Sequence, residues 1–236
     1  MDSKSRPNDI ALLDNSLSDF YLKPDAPWGF NVYRCDYSND KAWQRMLQLI
    51  DESVRQSLEC YEVMDLYPRH KLVIVEDKEK LEGATSHDVR DHFTAWVAEE
   101  VPRVLSRPKE FFAREECYSY DFSPEWILGT RYNFCLFVDD ICLESLDEMT
   151  FPVVKLLWAQ WGHLEPHERN YTVHPDYDDG ETDEDEEDVG WMYMSVIDYM
   201  RYYNDLNDYT WWYDLYARPP YMIDEYEKRP GSWRKG

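Results

Sequence analysis

Asp139, Asp140 and Glu144 are the residues whose types and spacing are best suited to chemistry. They lie in Asp139-Asp140-Ile141-Cys142-Leu143-Glu144, directly after the apolar run Phe134–Val138. Open sheets with helical crossovers bind ligands at the carboxyl ends of their strands, where this motif is expected to sit. If the chain turns helical after Asp140, Glu144 returns to the same side four residues later. Two or three carboxylates then converge on one point. Such a group can bind Mg²⁺ with a phosphate substrate, hold a guanidinium or ammonium, or supply a general base if crowding raises one pKa. The plain alternative is a helix N-terminus whose acids favour the helix dipole. Cys142 makes a poor nucleophile here, because neighbouring carboxylates disfavour its thiolate.

Other constellations are weaker. His163 and His167 stand at a possible metal spacing with His174 nearby, but Pro166 between the first two spoils a regular helix. His87 and His92 flank an expected helix start, where surface or capping roles are common. Trp191, Tyr193, Trp211, Trp212, Tyr213 and Tyr216 can wall a pocket for a planar or cationic group, or serve as ordinary core. Arg103, Arg107, Lys109 and Arg114 form one basic cluster, and Lys228, Arg229, Arg234 and Lys235 another. Each is either a local phosphate-contacting patch or a set of solvated ends. No glycine-rich nucleotide signature and no G-x-S-x-G nucleophile elbow occurs.

The elements that must position the acidic motif are legible from periodicity. Gly29–Cys35 alternates as a half-buried strand should. Ser38 or Asn39 then caps a long helix carrying Trp43, Met46, Leu47, Ile50, Val54 and Leu58 on one side. Leu72–Val75 reads as a strand buried on both faces. Ser86 opens a second helix with Val89, Phe93, Trp96 and Val97 inward and Pro102 near its end. Strands are expected at Tyr132–Val138, Val153–Trp161 and Trp191–Val196. A short helix from Asp198 and a last strand at Trp211–Tyr216 close the chain. The order predicts an α+β fold, a mixed sheet with helices packed on it, ferredoxin-like or a related two-layer sandwich. Residues 1–27 are expected as a flexible arm, 28–220 as a single domain with an acidic loop at 175–189, and 221–236 as a C-terminal tail.

The 236 residues carry a net charge of -24, with 16% aromatic content. Ten of the acids crowd into Asp176–Asp188, which holds no base. This run is expected as a solvated loop or, alternatively, as a docking strip for a basic partner. So acidic a surface repels DNA and anionic membranes unless a local patch overrides the field. No apolar h-region or membrane-length apolar stretch occurs, and the five cysteines contain no C-x-x-C pair. Together these predict free thiols in the cytoplasm.

Trp28-Gly29-Phe30-Asn31-Val32-Tyr33-Arg34 with Trp43, then Phe134–Glu144, Asp188-Val189-Gly190-Trp191-Met192 and Arg218-Pro219-Pro220 resemble a widespread group of fungal proteins. These segments span most of the chain after residue 27. One branch of that group is the fungal arginine-containing cyclodipeptide synthases, which rely on a D-D-x-x-E motif. Here three residues separate Asp140 from Glu144. The resemblance implies a tRNA-dependent enzyme of fungal secondary metabolism. Its substrates would be arginyl-tRNA and a second aminoacyl-tRNA, joined into a diketopiperazine without metal or cofactor. It implies that Asp139 or Asp140 holds the guanidinium or α-ammonium, with Glu144 as general base or second clamp. The competing reading is a non-enzymatic acidic protein that recognises a basic partner.

Overall fold

The computed structural model describes residues 10–18, 20–108, 128–162, 164–223 and 228–235. Five strands form one sheet: β1 (Asn31–Arg34), β2 (Val73–Val75), β3 (Phe134–Val138), β4 (Val153–Trp158) and β5 (Trp191–Ser195). Their spatial order is β2-β1-β3-β4-β5. β1 runs parallel to both β2 and β3, whereas β4 is antiparallel to β3 and to β5. The chain is therefore α+β with one open, mixed five-stranded sheet.

The main helices are α1 (Ala11–Ser18), α2 (Asp40–Cys60), α3 (Ser86–Val104), α4 (Asp140–Glu148) and α5 (Tyr199–Asp205). Alternation along the strands sorts side chains between two apolar clusters. Val32, Phe134, Leu136, Val154, Leu156, Met192 and Met194 face α2, α4 and α5. Tyr33, Cys135, Phe137, Leu157, Trp191 and Tyr193 face α3. Each fully buried Leu, Val or Phe contributes roughly 1.5–3 kcal/mol relative to exposure, so both faces anchor the sheet. The connection from β1 to β2 uses α2 on one face. The connection from β2 to β3 uses α3 on the other and passes over β1. Opposed crossovers of this kind open a crevice at the carboxyl ends of the central strands.

Caps set the helix starts. Asn39 Oδ1 accepts from Ala42 N at 3.0 Å, and Thr85 and Asp88 form a reciprocal capping box ahead of α3.

Several expectations are corrected. β1 is buried at every position because parallel neighbours and both clusters enclose it. β2 is an edge strand with Ile74 37% exposed, not a fully buried one. Gly129, at φ +80, starts a helical turn at Thr130–Asn133, so β3 begins at Phe134. The last strand is absent: Asp208 accepts from Thr210 N and caps helical turns over Tyr209–Leu215, which bury Trp212 against Phe134 and Trp158. The stretch 1–27 includes α1, whose Leu13 and Leu17 are buried and whose Leu13 N donates to Asn204 Oδ1 at 3.1 Å. Residues 228–235 of the expected tail pack on α4, as described next. No helix among the described residues is long and apolar enough to cross a membrane.

Candidate functional site

Asp139 stands where β3 ends and caps α4. Its extended backbone folds the side chain over the first turn, and Oδ1 accepts from Cys142 N at 3.1 Å. Oδ2 meets Lys155 Nζ at 2.6 Å. Lys155 is the centre of β4, paired with Phe137 on one side and Tyr193 on the other. All three side chains therefore share the α3 face. The ammonium lies 4.4 Å from the Trp191 ring centroid and 5.4 Å from those of Phe137 and Tyr193, an aromatic enclosure suited to a cation.

Burial disfavours both charges, yet each partner outweighs that cost for the other. The Asp139 pKa lies below its ordinary value, held there by Lys155 and the Cys142 amide. The Lys155 pKa lies above its own, held by Asp139, Cys142 and Asp178. The pair is ionised at neutral pH.

A cleft of about 280 Å³ opens over this pair, lined also by Ser86, His87, Arg169, Tyr171, Asp178, Asp179 and Trp191. Asp179 is buried and saturated: Oδ1 accepts from Tyr171 Oη at 2.5 Å and Gly180 N at 2.8 Å, and Oδ2 from Trp191 Nε1 at 2.7 Å and Ser86 Oγ at 3.4 Å. Asp178 is exposed at the mouth and accepts from Tyr193 Oη at 3.0 Å. His87 Nδ1 faces Arg90 Nη1 at 3.3 Å. A guanidinium only donates, so Nδ1 accepts and Nε2–H points to Tyr171 Oη, also at 3.3 Å. Burial, then the Arg90 charge, lowers the His87 pKa. His87 thus orients Tyr171 as a neutral donor. Arg90 in turn donates to the carbonyls of Trp158 and Gly190, each at 3.1 Å. Gly190, at φ +74, packs against Trp161 and Arg90 with no room for a side chain.

The acidic run is held inward. Arg218, 2% exposed, donates to the carbonyls of Asp179, Thr182 and Glu184, and pairs with Glu187 at 2.7 Å. Asp188 accepts from Trp212 Nε1 at 2.9 Å. The expectation of a fully solvated loop is corrected accordingly: Glu181 and Asp183–Glu186 remain exposed, while Asp179, Glu187 and Asp188 are structural.

The three predicted carboxylates do not converge. Asp139 enters the cleft. Asp140 and Glu144, one helical turn apart on the exposed side of α4, grip Arg234 at 3.0 and 2.7 Å. Glu144 also accepts from Trp233 Nε1 at 2.6 Å, and Lys228 pairs with Glu148 at 2.8 Å. The motif splits because an N-cap residue turns its side chain back over the helix end, whereas helical residues project outward. Asp140 and Glu144 do bind a guanidinium, and it is the chain's own. Within the C-terminal basic cluster, Lys228 and Arg234 pair with carboxylates of α4, and Arg229 lies over the Tyr221 ring. Lys109 and Arg114 of the other cluster lie outside the described residues, as does His163.

His167 is exposed, and no metal-ligating group of three occurs among the described residues. Cys142 is fully buried, with its thiol pKa pushed well up by burial and Asp139. Of the aromatic series, Trp191 lines the cleft, Tyr193 packs beside Lys155 in the same core, and Trp212 belongs to the opposite core, while Trp211 and Tyr213 are exposed. Sequence reasoning missed Lys155, Arg90, Tyr171 and Arg218. A lysine at the centre of the apolar run Val153–Trp158 was the available signal.

No family model, curated protein or solved structure matches this chain.

Proposed function

We propose that this chain is an aminoacyl-transferring enzyme of the arginine-containing cyclodipeptide synthase kind. The observation that carries the reading is the charge of the cleft. Asp139, Asp178 and Asp179 face it together with Lys155, and Arg169 is taken by Asp91 through two hydrogen bonds at 2.6 and 3.1 Å. Three carboxylates line the cleft against two cationic side chains, Lys155 and Arg169, and a carboxylate-rich lining attracts a guanidinium or ammonium. Its 280 Å³ is slightly below the range of drug-sized sites, roughly 300–1,000 Å³, so it seats one aminoacyl group while the second approaches through the mouth.

In this reading Asp178 receives the cationic group at the mouth, and the Trp191 ring flanks it. Lys155, fixed by Asp139, offers its ammonium to the ester carbonyl, where negative charge develops on attack. Each α-amine attacks the other amino acid's ester carbon. Two amide bonds form, two ester bonds break, and the amine protons pass by way of a carboxylate to the departing ribose hydroxyls. The esters are already activated, so the chemistry calls for no ATP, metal or cofactor. Asp140 and Glu144 lie outside it, as the clasp of the C-terminal segment.

Purified chain incubated with arginyl-tRNA and a mixture of aminoacyl-tRNAs tests the proposal. An arginine-containing cyclic dipeptide is expected, and it should fade as salt rises because tRNA contact is electrostatic. Intact aminoacyl-tRNAs with folded protein at low salt would overturn it. If instead neutralising Glu181 and Asp183–Glu186 abolished capture of a basic protein, the binding-protein reading would replace it.

A further inference from the structure

Arg131 is a buried cation with no carboxylate partner among the described residues. It is 4% exposed and belongs to the one-turn helix that leads into β3. Its Nη1 donates to Gly29 O at 2.5 Å and Lys71 O at 2.7 Å, which ties together the amino ends of β1 and β2. Nε makes no hydrogen bond, and Nη2 makes none to a described residue. The Nε–Nη2 edge is the one a guanidinium uses to grip a carboxylate or phosphate in two parallel hydrogen bonds.

The surroundings are one-sided in the same sense. The Tyr132 hydroxyl is buried beside the Arg131 guanidinium, and no other described group hydrogen-bonds it. Burial pushes its pKa up to about 12, while the neighbouring Arg131 guanidinium pulls the other way. Trp96, half-buried on α3, walls both groups: its ring centroid is 5.7 Å from Arg131 Cζ and 6.3 Å from the Tyr132 ring, stacked at 9°. Asn31 is fully buried on the face of β1 that Tyr33 shares, and both of its amide atoms are unpaired. Buried donors without acceptors are costly, and a buried charge without a counter-charge more so. A guanidinium edge beside a phenol hydroxyl is completed by an acceptor that carries negative charge.

We propose that Arg131 and Tyr132 form a binding site for a small oxyanion, a carboxylate or a phosphate group, walled by Trp96. The site lies at the amino end of β3 and the cleft at its carboxyl end, roughly 16 Å apart at about 3.3 Å per residue. It is independent of the proposed synthase activity.

Crystals of the full chain soaked in selenate, an oxyanion with an anomalous signal, test the geometry. An anomalous peak that places a selenate oxygen within about 3 Å of Arg131 Nε is expected; ordered water alone at that edge would overturn the proposal. Melting temperatures in phosphate, acetate and chloride at equal ionic strength test it in solution and separate the two sources. A concentration-dependent rise in phosphate or in acetate, absent in chloride, is expected. It should shrink in Tyr132→Phe, which keeps Arg131 and its two carbonyl bonds. Equal melting in all three salts, even with a selenate peak, marks an adventitious ion and overturns the site. An unchanged rise in Tyr132→Phe overturns it as well.

Discussion

Lys155 Nζ lies 2.6 Å from Asp139 Oδ2 and 4.4 Å from the centroid of the Trp191 ring. The contact joins the end of β3 to the middle of β4 and turns an apolar sheet face into a charged cleft floor. Removing one member of a buried pair costs about 3–5 kcal/mol, because the other charge is left uncompensated. Lys155→Met is expected near 3 kcal/mol, since the Asp139 side chain keeps 21% exposure. Urea denaturation measures this, and the double variant with Asp139→Asn should lose less than the two single losses added.

The same pair sets limits at both pH extremes. Asp139 has a lowered folded pKa, so its contribution is present above the unfolded value of about 3.9 and is lost as pH falls through the folded value. Lys155 has a raised folded pKa, so its contribution is present below about 10.4 and is lost above the folded value. Between these limits the histidines act. Burial lowers His70 to about 4, and burial with Arg90 lowers His87. Both bind protons more readily when unfolded. Stability should therefore fall as pH drops below about 6.5, by up to about 1.4 kcal/mol per pH unit for each histidine. Urea midpoints at pH 7 and pH 5 check this; equal midpoints would contradict it.

Arg218 organises the acidic loop through backbone carbonyls and Glu187, with its guanidinium 3.6 Å from the Tyr177 ring centroid. Arg218→Ala strips those carbonyls of donors and leaves ten acids to repel one another. A loss of roughly 3–5 kcal/mol is expected. Limited proteolysis should show new cleavage within residues 176–188, and cleavage unchanged from the parent chain would refute the anchor.

The clasp between Glu144 and Arg234 is exposed, with side-chain exposures of 44% and 38%. Such pairs contribute about 0–1 kcal/mol and weaken with salt. Glu144→Ala should leave the global melting temperature nearly unchanged while raising amide exchange over residues 228–235.

Much of this architecture is legible in the sequence. Asn39 as a cap, the stripe of α2 and the run Phe134–Val138 leading into Asp139 all follow from local pattern. The cleft was only partly legible. Asp139 and Asp140 are adjacent and chemically alike, yet the cap geometry turns one into the cleft while the other grips Arg234. Tyr171, Asp179 and Lys155 meet through loop folding that no period records, and Arg218 reaches 39 residues back to Asp179. Trp211–Tyr216 misled because its aromatic density reads as strand, whereas Asp208 and the burial of Trp212 make it helical.

Mass spectrometry of extracts from a host expressing the chain, alongside Asp139→Asn, Lys155→Met and Glu144→Ala, tests the central claim most directly. The account predicts an arginine-containing cyclic dipeptide that the first two variants lose and Glu144→Ala retains. Absence of such a product from soluble, folded parent chain would contradict the synthase function. A product lost only in Glu144→Ala would move the active site from the Lys155 cleft to the outer face of α4.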